Sequence, residues 1–411
     1  MRIFDVDHSA AKHFQHGTHR TRSPRATLDA FVPRMREFGI TRLADVTGLD
    51  HIGIPVYMAV RPNARSLAVA QGKGIDHDSA KASALMEAIE SWHAENIEAP
   101  LRYESFARLH RSARVIDVTR LPVRRGGALE PNSPCLWIEG YDLIRGESTW
   151  VPFESVMTNF VRPERAMTAF VTGSNGLASG NHLLEAVEHA LCEVIERDAC
   201  TVWNSRGGRS LVDTRVDLDT VTDPAVRRVL ERLAGAGFVV GAWEVTSDTG
   251  IPAYDALILE DPDQPRWALK GTFGGHGCHL DPGVALLRAV TEAVQSRLTL
   301  IAGSRDDMYE YATEANPDDL RIIMDLVTGS PGGRAFPSGR SQATDTFEGD
   351  IAVLLAALRG IGVENAVVVD LTRPDIGVPV VKVVVPVLEP DDAHFDYLPG
   401  PRARAAAVTR T

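Results

Sequence analysis

The chain is poor in cysteine and has no paired cysteines: Cys135, Cys192, Cys200 and Cys278 stand apart, with no Cys-x-x-Cys among them. A disulfide framework is not expected, and a reducing cytoplasm is the expected setting. Long apolar runs are absent as well, so nothing approaches the roughly 20 residues that span a bilayer. Residues 1–14 are polar and contain His8 and His13, which does not fit a secretory signal. Positive charge is short, with 43 Lys and Arg against 55 Asp and Glu and a net charge of −12. Nucleic-acid binding, which usually shows a basic footprint, is not expected. Also missing are a phosphate-binding P-loop, a Gly-x-Ser-x-Gly elbow, a His-Glu-x-x-His helix and a dinucleotide glycine fingerprint.

What the sequence does hold is a polar stripe that recurs on three apolar helical stretches. Ser83, Glu87 and Glu90 form the first, Glu185, His189, Glu193 and Glu196 the second, and Arg288, Glu292 and Gln295 the third. Steps of four and three residues place each set on one narrow helical face. The other faces carry mostly Ala, Leu, Val, Ile and Met, the reverse of an ordinary surface helix. A solvated face is the competing reading, and neighbours such as Leu85, Ile89, Leu191 and Ile195 leave it little room. Such helices bury most of their girth and aim their carboxylates at a shared interior. Glu87/Glu90 and Glu193/Glu196 are like charges one turn apart, an arrangement that suits hard cations such as Mg2+.

Periodicity predicts helices at 24–39, 79–96, 181–206, 282–302 and 350–359. Strands are predicted at 54–60, 238–245, 251–259, 267–273, 365–371 and 378–388. With no repeated βαβ period, the expectation is a mixed α/β (α+β) fold with mixed sheets. Residues 1–50 read as an N-terminal extension, 51–390 as the catalytic domain, and 391–411 as a Pro/Arg/Ala tail that is mobile over 397–411. The striped helices align as a weak internal repeat around one site: Glu87 with Glu193 and Glu292, Glu90 with Glu196 and Gln295, Ser83 with His189 and Arg288. Each follows a Gly-rich stretch: Gln71-Gly72-Lys73-Gly74, Gly173-Ser174-Asn175-Gly176 through Gly180-Asn181, and Gly274-Gly275-His276-Gly277. Glycine loops at a helix start can cradle an anion. Asp78 or Ser79, Asn181 and Asp281-Pro282 read as the N-caps.

Lysine is scarce, which makes Lys73 in its Gly-Lys-Gly turn a phosphate candidate. Arg197 and Arg288 offer planar, multi-donor guanidinium groups. Lys270 and Lys382 sit in apolar, strand-like runs, where an outward lysine on an edge strand is an equal reading. His276-Gly277-Cys278-His279 lacks the paired spacing of a structural zinc site, and Cys192 reads as a core residue. The residues alone lead to a divalent cation and a polyphosphate.

Several ordered motifs resemble those of YcaO-domain proteins. Ser83-Ala84-Leu85-Met86-Glu87-Ala88-Ile89-Glu90 and Glu193-Val194-Ile195-Glu196-Arg197-Asp198 are similar to the two signature helices of that family. Ser174-Asn175-Gly176 through Asn181 and Glu185 resemble the segment leading into the second helix, and Arg288 with Glu292 the pair on the third. The resemblance covers residues 50–390. It implies a YcaO-like fold that binds ATP with Mg2+ between the three helices and activates a peptide backbone amide oxygen. By position, Glu87, Glu90, Glu193 and Glu196 resemble the metal-binding carboxylates. Lys73, Ser83, Asn181, Glu185, Arg197, Arg288 and Glu292 resemble the nucleotide contacts, with Arg197 and Arg288 the catalytic cations.

Many azoline-forming members end in Pro-x-Pro-x-Pro, whereas this sequence runs Pro399-Gly400-Pro401 and then Arg402 to Thr411. No fused leader-binding or E1-like domain is expected within 411 residues. Thr18-His19-Arg20-Thr21 and the stretch 39–53 are similar to stand-alone YcaO proteins that work with a TfuA partner and are linked to thioamides. The resemblance therefore implies a cytoplasmic, peptide-modifying enzyme of the RiPP-biosynthesis kind, with a peptide or protein substrate and a TfuA-like partner. Cyclodehydration of Cys, Ser or Thr to azolines is the alternative chemistry, and a nucleotide-binding accessory protein without turnover the alternative class. No membrane or nucleic-acid partner is expected; a homodimer is the commonest symmetric assembly.

Overall fold

The structure is a computed structural model that describes residues 1–161, 169–261, 271–305, 317–328, 333–390 and 397–408. Lys270 and most of the strand expected at 267–273 lie outside the described residues. Chain order runs from α1 (Pro24–Phe31) to β1 (Arg42–Asp45), β2 (Val56–Val60), β3 (Val69–Lys73) and α2 (His77–Glu95). It continues through β4 (Leu101–Ser105), β5 (Pro134–Asp142), β6 (Glu147–Pro152), β7 (Leu177–Ser179) and α3 (Leu183–Arg206). Then come α4 (Pro224–Gly235), β8 (Phe238–Glu244), β9 (Ala253–Glu260), β10 (Thr272–Cys278) and α5 (Pro282–Ala302). The last elements are α6 (Phe347–Gly360), β11 (Val367–Asp370), β12 (Val380–Val384) and α7 (Pro401–Val408).

Three sheets carry the site. The strand orders are β1-β2-β3, β8-β9-β10 and β6-β5-β11-β12-β7, with β4 also on β5, and every pairing in them is antiparallel. This is the mixed α/β architecture of α+β type, and helices α2, α3 and α5 pack on the sheets. Their apolar faces supply much of the core: Leu85 and Ile89, Leu191 and Ile195, Leu286 and Val290 are all fully buried.

Two of the glycine stretches differ from the sequence reading. Gly72 lies within β3, and Gly274, Gly275 and Gly277 lie within β10, so neither stretch is a loop. A Cβ on Gly72 would stand 2.0 Å from the Ala84 nitrogen, and one on Gly277 2.1 Å from the Ala285 oxygen. Glycine is there so that the strand and the next helix can touch backbone to backbone. Caps shift too: Asp76 caps α2 by accepting from the Ser79 N–H, and His182 caps α3 by accepting from the Leu184 N–H. Asp281 caps α5 as expected, with Pro282 in the first turn.

Three more expectations need correcting. The segment 24–39 begins as α1 and tightens into a 3-10 helix over Val32–Phe38 that ends at Gly39, which is left-handed at φ 69°. Lys382 lies on β12, flanked by β11 and β7 rather than at an edge, and it is 3% exposed. Within the segment expected to be a mobile tail, Pro401–Val408 instead forms α7. Glu389 accepts from the Gly400, Arg402 and Ala403 N–H groups, and Arg402 forks onto the buried Asp198 at 2.8 and 2.9 Å. Low apolar content misled because that segment is held by charge and helix capping.

Candidate functional site

Helices α2, α3 and α5 bring all three stripes to one cavity of about 1270 Å3. Ser83, Glu87, Glu90, Glu185, His189, Glu193, Glu196, Arg288, Glu292 and Gln295 line it, joined by Lys73, Asn181 and Arg197. The strand β3 ends at Lys73, whose Nζ reaches Glu292 at 2.6 Å. Arg288 is aimed by His189, whose Nδ1 accepts from Nη2 at 2.6 Å, and by the Cys278 carbonyl at 3.4 Å. Burial, then Arg288, Arg20 and Lys73, hold His189 well below its ordinary range, so it stays a neutral acceptor. Arg197 lies 3.5 Å from Glu196.

The carboxylates are crowded. Burial raises Glu87 and Glu193 from 4.5 to about 7. Glu87 has solvent-exposed surface that faces the cavity, so the protein walls around it set its environment more than bulk water does. Glu90 is raised well above its ordinary value, by burial first and then by Glu193 and Glu87, while the Ser179 N–H at 2.8 Å opposes the rise. Burial also acts to raise Glu292, yet Lys73, Arg197 and His276 outweigh it and bring that carboxyl down to about 2. Anionic groups held against their preference in this way are stabilised by an incoming cation.

Among the described residues no three His, Cys, Asp or Glu side chains converge as a ready-made metal cage. Mg2+ does not require one, because it binds through one or two carboxylates and completes its shell with water and substrate phosphates. Buried polar atoms with no protein partner, Gln71 Nε2, Ser79 Oγ and Asn175 Oδ1, belong to residues of the same cavity wall. Carboxylates, guanidinium groups and orphaned polar atoms together fit a metal–polyphosphate ligand.

Some expected contacts are engaged elsewhere in this structure. Glu185 Oε2 accepts from the Thr21 N–H and hydroxyl at 2.9 and 2.6 Å, and its Oε1 from Asn181 at 3.3 Å. Asn181 in turn accepts from the Thr27 hydroxyl at 3.0 Å. The pair thus holds the N-terminal segment, which contributes Gly17, Arg20 and Arg22 to the cavity wall.

Sequence reasoning left Lys382 open between an outward edge-strand lysine and something less ordinary. Its ammonium lies in the cavity wall, donates to the Gly173 carbonyl at 2.5 Å, and is lowered by burial from 10.5 to about 8 against the pull of Glu193 and Glu90. The signal was a single lysine in Val380-Val381-Lys382-Val383-Val384.

Residues 71–389 match a family described as YcaO cyclodehydratase, ATP- and Mg2+-binding. The chain belongs to the YcaO family. A relative from Rhizobium leguminosarum bv. trifolii, named for its place in the tfuA 3′ region, is 39% identical over 380 residues, covering 90% of this chain and 89% of its own. Among solved structures, a heterocyclase in complex with substrate and cofactor superposes with a TM-score of 0.76 at 23% identity. That match covers 94% of this chain and 54% of the heterocyclase, so the chain spans about half the larger protein. The YcaO protein of Methanopyrus kandleri, bound with AMPPCP and Mg2+, has a TM-score of 0.69 at 22% identity, covering 92% of this chain and 95% of its own. At these identities the two structures show a shared fold. No helix among the described residues is long and apolar enough to cross a membrane.

Proposed function

We propose that this YcaO protein is an ATP-dependent, Mg2+-requiring enzyme that phosphorylates a peptide backbone amide oxygen, and that the product is a thioamide formed with a TfuA-type partner and a sulfur donor. The observation that carries the reading is the convergence of three polar stripes on one cavity with raised carboxyls and aimed cations. Membership of an ATP- and Mg2+-binding family supports the cofactors. The relative in the tfuA 3′ region favours sulfur insertion and the TfuA-type partner.

Glu87, Glu90, Glu193 and Glu196 would hold Mg2+, and Lys73, Ser83, Asn181, Glu185, Arg197, Arg288 and Glu292 the nucleotide. Bound Mg2+–ATP supplies the phosphoryl group that converts the amide oxygen into a leaving group. Arg197 and Arg288 place guanidinium donors where phosphoryl charge develops, a task of positioning and electrostatic stabilisation. His189 keeps Arg288 pointed into the cavity, and Glu292 does the same for Lys73. Residues 51–390 form the catalytic unit in this reading, and the N-terminal segment completes its wall.

The family description also favours a second chemistry, cyclodehydration of Cys, Ser or Thr. Incubating peptide with ATP, Mg2+ and sulfide, then weighing the product, separates the two. Exchange of oxygen for sulfur adds mass, whereas azoline formation removes water. ATP binding without phosphate release, across peptides and with the partner present, would overturn both in favour of an accessory role.

A further inference from the structure

Beside the stripes, three distant segments meet at one imidazole. His276 on β10 lies directly across the sheet from Asp255 on β9. Its Nδ1 is 3.3 Å from Asp255 Oδ2 and 3.4 Å from the sulfur of Cys200 on α3. Asp255 is 1% exposed and is gripped by Arg209 through bonds of 2.7 and 3.0 Å. A fixed carboxylate at Nδ1 favours the tautomer that carries its proton there, which leaves Nε2 as an acceptor. Nε2 makes no hydrogen bond to another described residue. The ring is 28% exposed and lines the cavity. The His276 backbone N–H donates to Glu292 Oε1 at 3.3 Å, which anchors the imidazole next to the Lys73–Glu292 pair.

We propose that His276 is a catalytic residue, the proton acceptor for the nucleophile that displaces the activated amide oxygen. The inference rests on the amide-activation reading above. Hydrosulfide adds to the carbon of the O-phosphorylated amide, and the C–S bond forms. The C–O bond to phosphate then breaks, phosphate leaves with the electron pair, and Nε2 takes the S–H proton as C=S forms. Asp255 stabilises the resulting imidazolium through Nδ1, and the proton passes on to solvent. Nothing is oxidised or reduced. Asp255 and Arg209 act through the imidazole and are positioning residues.

Two measurements on the full-length protein test this. Selective 15N-histidine labelling, with His276→Gln to assign the signal, reads the tautomer of the ligand-free protein. A proton on Nδ1 is expected; a proton on Nε2 overturns the inference. The second uses a pool of synthetic peptides that the wild-type protein turns over with Mg2+–ATP and sodium sulfide. His276→Gln should lower kcat by about 100-fold or more while Mg2+–ATP affinity stays within about threefold. Imidazole added to His276→Ala should restore part of the rate. A variant that matches wild type, or one whose rate and ATP affinity fall together, overturns the proposal. Failure of the amide-activation reading looks different: wild type itself then releases no phosphate with any pool.

Discussion

Glu90 has Glu193 and Glu87 as like-charged neighbours that raise its carboxyl, opposed by the Ser179 N–H and the nearby Lys382 ammonium. Such a residue is costly in a ligand-free protein and useful in one that takes up Mg2+. Glu193→Gln and Glu196→Gln should each lower Mg2+–ATP-dependent phosphate release by about 100-fold or more, with near-wild-type melting. Unchanged release in both would remove the metal assignment. A pH dependence follows from Glu87 and Glu193, whose carboxyls sit at about 7 against an ordinary 4.5. Their protonated forms stabilise the ligand-free fold below about pH 4.5, and that contribution is lost as pH rises through about 7. Mg2+ needs the ionised forms, so stabilisation by Mg2+–ATP should grow from about pH 5 to pH 8. At ligand 100-fold above Kd its full size is about 2.7 kcal/mol. A flat profile in thermal melts would contradict the titration. At this scale the stripes were legible, because helical spacing and apolar neighbours define a buried polar face. Lys382 was not, since a lysine among valines reads the same on an inner or an edge strand. The contact of His276 with Asp255 and Cys200 was not legible, because strand register sets the first and helix packing the second, between segments distant in sequence.

Helices were easier to read than the turns between them. The striped segments 79–96, 181–206 and 282–302 became α2, α3 and α5 with ends shifted by no more than two residues. The glycine stretches misled because the same residue serves an anion loop and a close strand–helix contact. Gly72→Ala tests the second role: its methyl meets backbone, so a loss of about 1–3 kcal/mol is expected in urea unfolding. An unchanged midpoint would return Gly72 to the loop reading. The C-terminal helix was hidden for another reason, that its buried partner Asp198 lies roughly 200 residues away in sequence. Removing Arg402 leaves Asp198, which is fully buried, without its main counter-charge. Arg402→Ala should therefore cost about 3 kcal/mol, read by the same unfolding experiment. No loss would mean that α7 is not held by this pair.

Across the whole molecule, the antiparallel sheets, the helices packed on them and the N-terminal segment place charged residues from 20 to 382 around one cavity. Mixed α/β architecture was legible from the alternation of periods, but the sheet order was not, because β7 and β12 pair across roughly 200 residues of chain. The central claim is that this cavity moves a phosphoryl group onto an amide oxygen. The direct measurement is isotopic: a substrate peptide carrying 18O in its backbone carbonyls, incubated with the protein, Mg2+–ATP and sulfide. The account predicts that the 18O lost from the peptide appears in inorganic phosphate as sulfur enters the product. Peptide that is modified while the phosphate stays unlabelled would contradict it.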